Sequence, residues 1–278
     1  MTALNMTVFK LKIIAITTML IDHIGAAVLW PILQDAYVIT PLLINSYMLT
    51  RYIGRIAFPI FAYLIANGCR HTKSIGMYML RLGFLAIISE PVFDIAFRRA
   101  AGINFLRDTN IFYTLFLGVA AVVIFENVRK WLKKLGEMSG QLIPANILAF
   151  LAALPMLMFA FMLGSDYSHI GVGLIFVLYI ISPKIHPETP PKSHPETHPK
   201  SHPETRPDNR VASVAVMAIG MLLLYFGNWI MLIFSLIAVA LIAIYNGKPG
   251  LYNQKIKWGF YFFYPVHLAA LIAVRAIF

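Results

Sequence analysis

The chain has 278 residues, of which 59% are apolar and only 13% charged, with a mean hydropathy of +0.74. A water-soluble domain carries about a quarter charged residues, so this composition excludes a soluble globular protein and requires apolar surface that faces lipid. The net charge of +11 does not mark a nucleic-acid binder, because the basic residues stand in short clusters between apolar runs, where they orient membrane helices.

A helix needs about 20 apolar residues to cross a hydrocarbon layer ~30 Å thick. Nine runs are candidates: 11–30, 52–68, 80–97, 111–127, 143–163, 169–182, 211–226, 229–245 and 258–276. The first follows Lys10 and Lys12, lacks a small-residue cleavage site and contains Asp22 and His23. It reads as a permanent helix rather than a cleaved signal. The run 169–182 is short, and is expected either to cross or to re-enter. Gly227 and Asn228 divide what is otherwise one overlong helix. With the N-terminus in the cytoplasm, nine crossings put most of the lysines and arginines on the cytoplasmic side, as the positive-inside rule demands. The expected class is an all-α, polytopic integral membrane protein of a bacterial inner (cytoplasmic) membrane, with about nine transmembrane helices.

Residues 186–209 read HPETPPKS, HPETHPKS and HPETRPDN, an octapeptide pattern used three times. Proline at this density blocks helix and sheet ladders, and the composition buries no core. Residues 183–210 are therefore expected to form a disordered cytoplasmic linker between a six-helix part, 1–182, and a three-helix part, 211–278. His186, His194, His198 and His202 have no scaffold to hold a coordination geometry, so no metal is expected. The single cysteine, Cys69, reads as a small buried residue.

Ionisable groups at membrane depth are costly and usually face a bundle interior or a water-filled cavity. Asp22 and His23 lie just past the middle of the first run. A nearby carboxylate is able to fix an imidazole tautomer, although adjacent helical positions point about 100° apart. Arg51 and Arg55 share one helix face, as do Glu90 and Asp94 around Pro91. Two carboxylates facing two arginines is the expected pairing, since an unpaired buried charge is strongly unfavourable. This pairing serves either structure or function. Asp166, Tyr167 and His169 fall in a short outer turn. Asn110 and Thr114 open the fourth run, Asn110 as a capping residue. Tyr264 and His267 share a face of the last. Most of these groups are expected in the outer half of the membrane. His71, beside Arg70 and Lys73, falls in an inner loop whose charge is either topogenic or attractive to phosphate.

The motifs resemble the TraX family of membrane proteins. The resemblance is carried by Leu11-Lys12-Ile13-Ile14-Ala15 leading to Asp22-His23-Ile24-Gly25, and by Arg51 with Gly54-Arg55-Ile56-Ala57-Phe58-Pro59-Ile60-Phe61. It continues through Gly68, Thr72, Arg81-Leu82, Ser89-Glu90-Pro91, Phe93-Asp94, Asn110-Ile111-Phe112 and Thr114-Leu115. It ends with Asp166-Tyr167, Gly171 and Tyr264-Pro265-Val266-His267-Leu268. It covers nearly the whole chain apart from the linker. The chain departs from the usual pattern at Ser168, where the family often has glycine, and in the HPET repeats. The resemblance implies acetyl transfer to the N-terminus of a conjugative pilin subunit, and a link to fimbrial or pilus assembly.

No phosphate-cradling glycine loop, zinc spacing or nucleophile elbow is present. The available chemistry is proton transfer by histidine and carboxylate, with arginine as an electrostatic clamp. The expected activity is membrane acyl transfer from acetyl-CoA, entering from the cytoplasm, to a pilin or fimbrial subunit. His23 is the expected base, oriented by Asp22 or another carboxylate, and His267 a second candidate. Arg55 would stabilise the attacked carbonyl. Arg51, Glu90, Asp94, Asn110, Asp166, Tyr167 and Tyr264 would shape the substrate chamber. The alternatives are a non-catalytic fimbrial assembly factor and a proton-coupled transporter.

Overall fold

The computed structural model describes residues 6–97, 102–140, 143–181, 207–251 and 253–277. Arg98, Arg99 and the HPET repeats up to Arg206 lie outside the described residues. Nine helical stretches occupy the described residues. They are α1 Val8–Asp35, α2 Pro41–His71, α3 Ile75–Phe97, α4 Ile111–Ser139 and α5 Ala145–Met162, followed by α6 Ser168–Ile181, α7 Pro207–Leu224, α8 Trp229–Ala243 and α9 Gln254–Arg275.

Five of these, α1, α2, α4, α5 and α9, are long and apolar enough to cross a membrane. Helix α6, with 14 residues, extends about 21 Å and is shorter than the hydrocarbon layer. The apolar part of α7, Arg210–Leu224, and helix α8 are also short. Helix α3 has 23 residues but carries Arg81, Glu90 and Asp94. Bulky apolar side chains such as Phe84, Ile87, Phe159, Ile233 and Val266 point outward and stay exposed, which suits lipid and not water.

Proline shapes the helices that build the interior. Pro31 lacks the N–H that Ala27 would need, and a π-turn, Gly25–Leu29, precedes it, closed by Trp30 N–H donating to Gly25 O. Pro59 clashes with the carbonyl of the residue four before it, which is Arg55. There α2 breaks between Pro41–Gly54 and Ala57–His71, through Arg55 N–H to Tyr52 O (3.1 Å) and Ile56 N–H to Ile53 O (3.2 Å). Pro91 and Pro265 lie inside α3 and α9.

Helix α4 forms the centre, packed by α2, α3, α5 and α6. The three C-terminal helices join the same bundle: α7 on α6, α8 on α2, and α9 on α1 and α3. The α8–α9 loop is tied to the start of α1 by Val8 N–H to Lys248 O (3.0 Å) and Asn246 N–H to Met6 O (2.9 Å).

Two sequence expectations change here. Helix α2 begins at Pro41, not at residue 52, because Thr40 caps it by accepting from Leu43 N–H and Pro41 fills the first turn. Proline there forfeits no hydrogen bond. Arg51 and Arg55 thus sit near the middle of a 31-residue stretch, not at its outer end. Asp22 lies similarly near the middle of the 28 residues of α1.

Candidate functional site: a charged chamber between α1 and α2

A cavity of about 420 Å³ lies among Asp22, His23, Arg51, Arg55, Tyr167 and Tyr225. Trp30, Tyr47, Phe93, Phe97 and Asp166 complete much of its wall. Helix ends border the space: α3 ends at Phe97, α6 starts after Tyr167, and α7 ends before Tyr225. Irregular backbone at membrane depth is tolerated where it lines such a cavity.

Close helix approach sets the charges. A Cβ on Gly54 would lie 2.3 Å from the Asp22 carboxylate, and one on Gly25 would lie 1.9 Å from the Thr50 hydroxyl oxygen. Only glycine allows α1 and α2 to meet here. Asp22 then receives Arg51 Nη1 on Oδ2 and Arg55 Nη2 on Oδ1, both at 2.9 Å. Arg55 Nε donates to Arg51 O at 3.0 Å, which fixes the plane of the guanidinium. These side chains are only 12% to 26% exposed, so the pairing is partly desolvated and geometry matters.

The sequence reading paired these arginines with Glu90 and Asp94, and the structure corrects it. Glu90 Oε2 accepts Asn110 N–H at 3.0 Å, and Asn110 Nδ2 also donates to Ala86 O at 2.9 Å. Asp94 Oδ2 accepts Asn104 N–H at 2.6 Å. Asn110 Oδ1 caps α4 by accepting Phe112 N–H at 2.9 Å. Glu90, Asp94 and Asn110 therefore brace the loop into α4, and none lines the chamber. The physical reason is reach: Asp22 stands directly against both arginines, and Glu90 is taken by a backbone donor.

The second correction concerns His23. Its partner is not Asp22 but His267: His23 Nδ1 lies 2.7 Å from His267 Nε2, with the rings 9° from parallel. His267 Nδ1 lies 2.7 Å from Phe263 O. A carbonyl only accepts, so His267 Nδ1 carries a proton and neutral His267 Nε2 accepts. His23 Nδ1 is then the donor, and its Nε2 keeps a lone pair. No hydrogen bond to that Nε2 is present among the described residues, and His23 lines the cavity. Tyr264 meets both imidazoles edge-on, at centroid distances of 5.7 and 5.5 Å.

Tyr167 closes the floor. Its ring stacks on Phe58 at 3.7 Å, and Gly171 makes room, since a Cβ there would lie 2.9 Å from Tyr167 Cβ and 3.0 Å from Phe58 Cζ. Tyr167 and Ser168 both have positive φ, 61° and 45°. This left-handed conformation disfavours side chains. Thr114 clamps the turn by donating to Asp166 O, with Ser165 Oγ 3.1 Å from its hydroxyl oxygen. His169 lies outside the cavity, beside Phe161.

The sequence reading missed Tyr225, Tyr47, Trp30, Phe93 and Phe97. The signal for Tyr225 was its position just before Gly227 and Asn228, where α7 ends. It also missed Glu126, which takes Arg129 and the Tyr179 hydroxyl (2.9 Å) near the opposite end of the bundle. There the Arg70 guanidinium covers the Tyr179 ring at 4.6 Å. His71 bonds the Asn67 carbonyl at its own helix end.

These features define a helical membrane protein with an internal chamber of paired charge and linked imidazoles. The profile of the TraX protein family matches residues 8–189, and the chain belongs to that family. Over 285 aligned residues it is 24% identical to the probable fimbrial assembly protein FimC, serogroup H1, of Dichelobacter nodosus, covering 98% of this chain and 97% of that protein. No solved structure matches.

Proposed function

We propose that the chain is an integral-membrane acyltransferase that acetylates a fimbrial or pilin subunit during fimbria or pilus assembly. The fimbrial assembly name of the relative supports the biological setting. The reading rests on one observation: the His267–His23 pair leaves an imidazole nitrogen with a lone pair in a chamber that also holds two arginines.

In this reading acetyl-CoA is the acyl donor, reaching the chamber from the cytoplasmic, basic side of the bundle. His23 Nε2 takes the proton of the acceptor amine or hydroxyl as that group attacks the thioester carbonyl. Guanidinium N–H groups of Arg55 and Arg51 not engaged by Asp22 stabilise the oxyanion. The C–S bond then breaks, the acyl group remains on the acceptor, and His23 returns the proton to the thiolate. His267 holds the His23 tautomer. Asp22 fixes the arginines rather than the base. A chamber half-way along α1 and α2 is within reach from both faces of the membrane, so donor and acceptor need not enter together.

The test is the mass of the subunit's N-terminal peptide in cells with and without the protein, followed by purified protein with acetyl-CoA. An acetyl increment (about 42 Da) that requires both the chain and His23 is the expected result. An assembly factor without chemistry gives assembly that depends on the chain and no mass change, and that result overturns the proposal.

A further inference from the structure

A second cavity, of about 200 Å³, opens on the outside of the bundle between α3 and α9. Its wall is Leu80, Phe84, Trp258, Tyr261 and Phe262, with one charged member, Arg81. Arg81 Nε is buried with no hydrogen-bond partner, and no ion pair to Arg81 occurs among the described residues. Its guanidinium lies 6.0 Å from the centroid of the Tyr78 ring. A cation at the lipid boundary without a counter-charge is unfavourable, and no carboxylate among the described residues supplies one.

Depth says what the groove faces. Arg81 stands six residues into α3 and Trp258 four into α9, or about 9 and 6 Å from the helix starts. The two helices run in the same direction, since Arg275 near the end of α9 donates to Ile95 O and Ala96 O near the end of α3. The groove therefore lies where headgroups meet acyl chains. Lys73, Lys248 and Lys255 are exposed around the same end. Tryptophan favours this level, and basic pockets between membrane helices take anionic headgroups.

We propose that this groove is a binding site for one anionic phospholipid. Its phosphate sits on Arg81, and an acyl chain runs along Phe84 and Phe262. The surrounding lysines favour a headgroup with net negative charge over a zwitterionic one.

Native mass spectrometry of the purified chain, equilibrated with equal phosphatidylglycerol and phosphatidylethanolamine, tests this. One phosphatidylglycerol should be retained preferentially. Arg81→Gln should weaken retention about fivefold, the effect of one basic residue on anionic lipid, and Arg81→Lys should restore much of it. Phe84→Ala should weaken both lipids. Equal retention of the two lipids, or no change in Arg81→Gln, overturns the proposal. A variant with Trp258 as its only tryptophan gives an independent readout without touching Arg81. Brominated phosphatidylglycerol should quench it more than brominated phosphatidylcholine at equal mole fraction, and equal quenching overturns the site.

Discussion

His23 Nδ1 and His267 Nε2, 244 residues apart in sequence, face each other at 2.7 Å in the interior of the bundle. One proton occupies that gap, and the carbonyl of Phe263 fixes which ring supplies it. His23→Ala should lower acyl transfer by about 10²–10⁴-fold, the usual cost of losing a positioned base. His267→Ala should lower it less, because His267 acts through His23. The rate of acetyl incorporation into the subunit checks both. Wild-type rates in both variants would remove the imidazoles from the mechanism.

Asp22 is the counter-charge for two arginines at once. Asp22→Asn leaves both without it and should destabilise the protein by about 3–5 kcal/mol, the cost of breaking a buried pair. Adding Arg51→Gln to Asp22→Asn should recover part of the loss, since neighbouring charges couple. Thermal unfolding in one detergent across the cycle measures this, and strictly additive shifts would contradict the pairing.

Gly54→Ala places a methyl carbon 2.3 Å from the Asp22 carboxylate. The helices must part or Asp22 must turn away, so activity and stability should fall together. Gly76→Ala is the control, because nothing lies within 4 Å of its Cβ position. That change should stabilise helix α3 by up to about 1 kcal/mol. Parallel melting curves distinguish a site-specific clash from a general intolerance of alanine.

Ser168 holds φ at 45° directly after Tyr167 at 61°. A left-handed residue with a side chain costs roughly 1–2 kcal/mol. Ser168→Gly should therefore raise the melting temperature while leaving the Tyr167–Phe58 stack in place. A lowered melting temperature would mean that the serine side chain contributes more than its backbone loses.

The sequence alone determined that this is a helical membrane protein, because hydropathy and lysine and arginine placement are properties of local stretches, and its motifs carried the resemblance to the TraX family. All nine expected runs lie largely within one helical stretch each, and only the start of α2, at Pro41 rather than residue 52, and the end of α4, at Ser139 rather than residue 127, moved far. The residues from 41 to 51 read as a polar outer loop, since Asn45, Ser46, Thr50 and Arg51 dilute the apolar signal. The chamber residues Asp22, His23 and Arg55 were also legible, because a charged or polar side chain inside an apolar run is conspicuous, and Arg51, Asp166 and Tyr167 stood out at the borders of such runs.

Who pairs with whom was decided only by tertiary structure. Spacing set Glu90 and Asp94 on one face and Arg51 and Arg55 on another, but periodicity is blind to how close two helices approach. Two glycines, Gly25 and Gly54, bring α1 onto α2 and hand both arginines to Asp22. The same approach leaves His23 to a partner from the far end of the chain. Local sequence fixes which groups are buried. Packing fixes their partners, because hydrogen bonds and ion pairs act over a few ångströms between elements that the chain separates by tens or hundreds of residues.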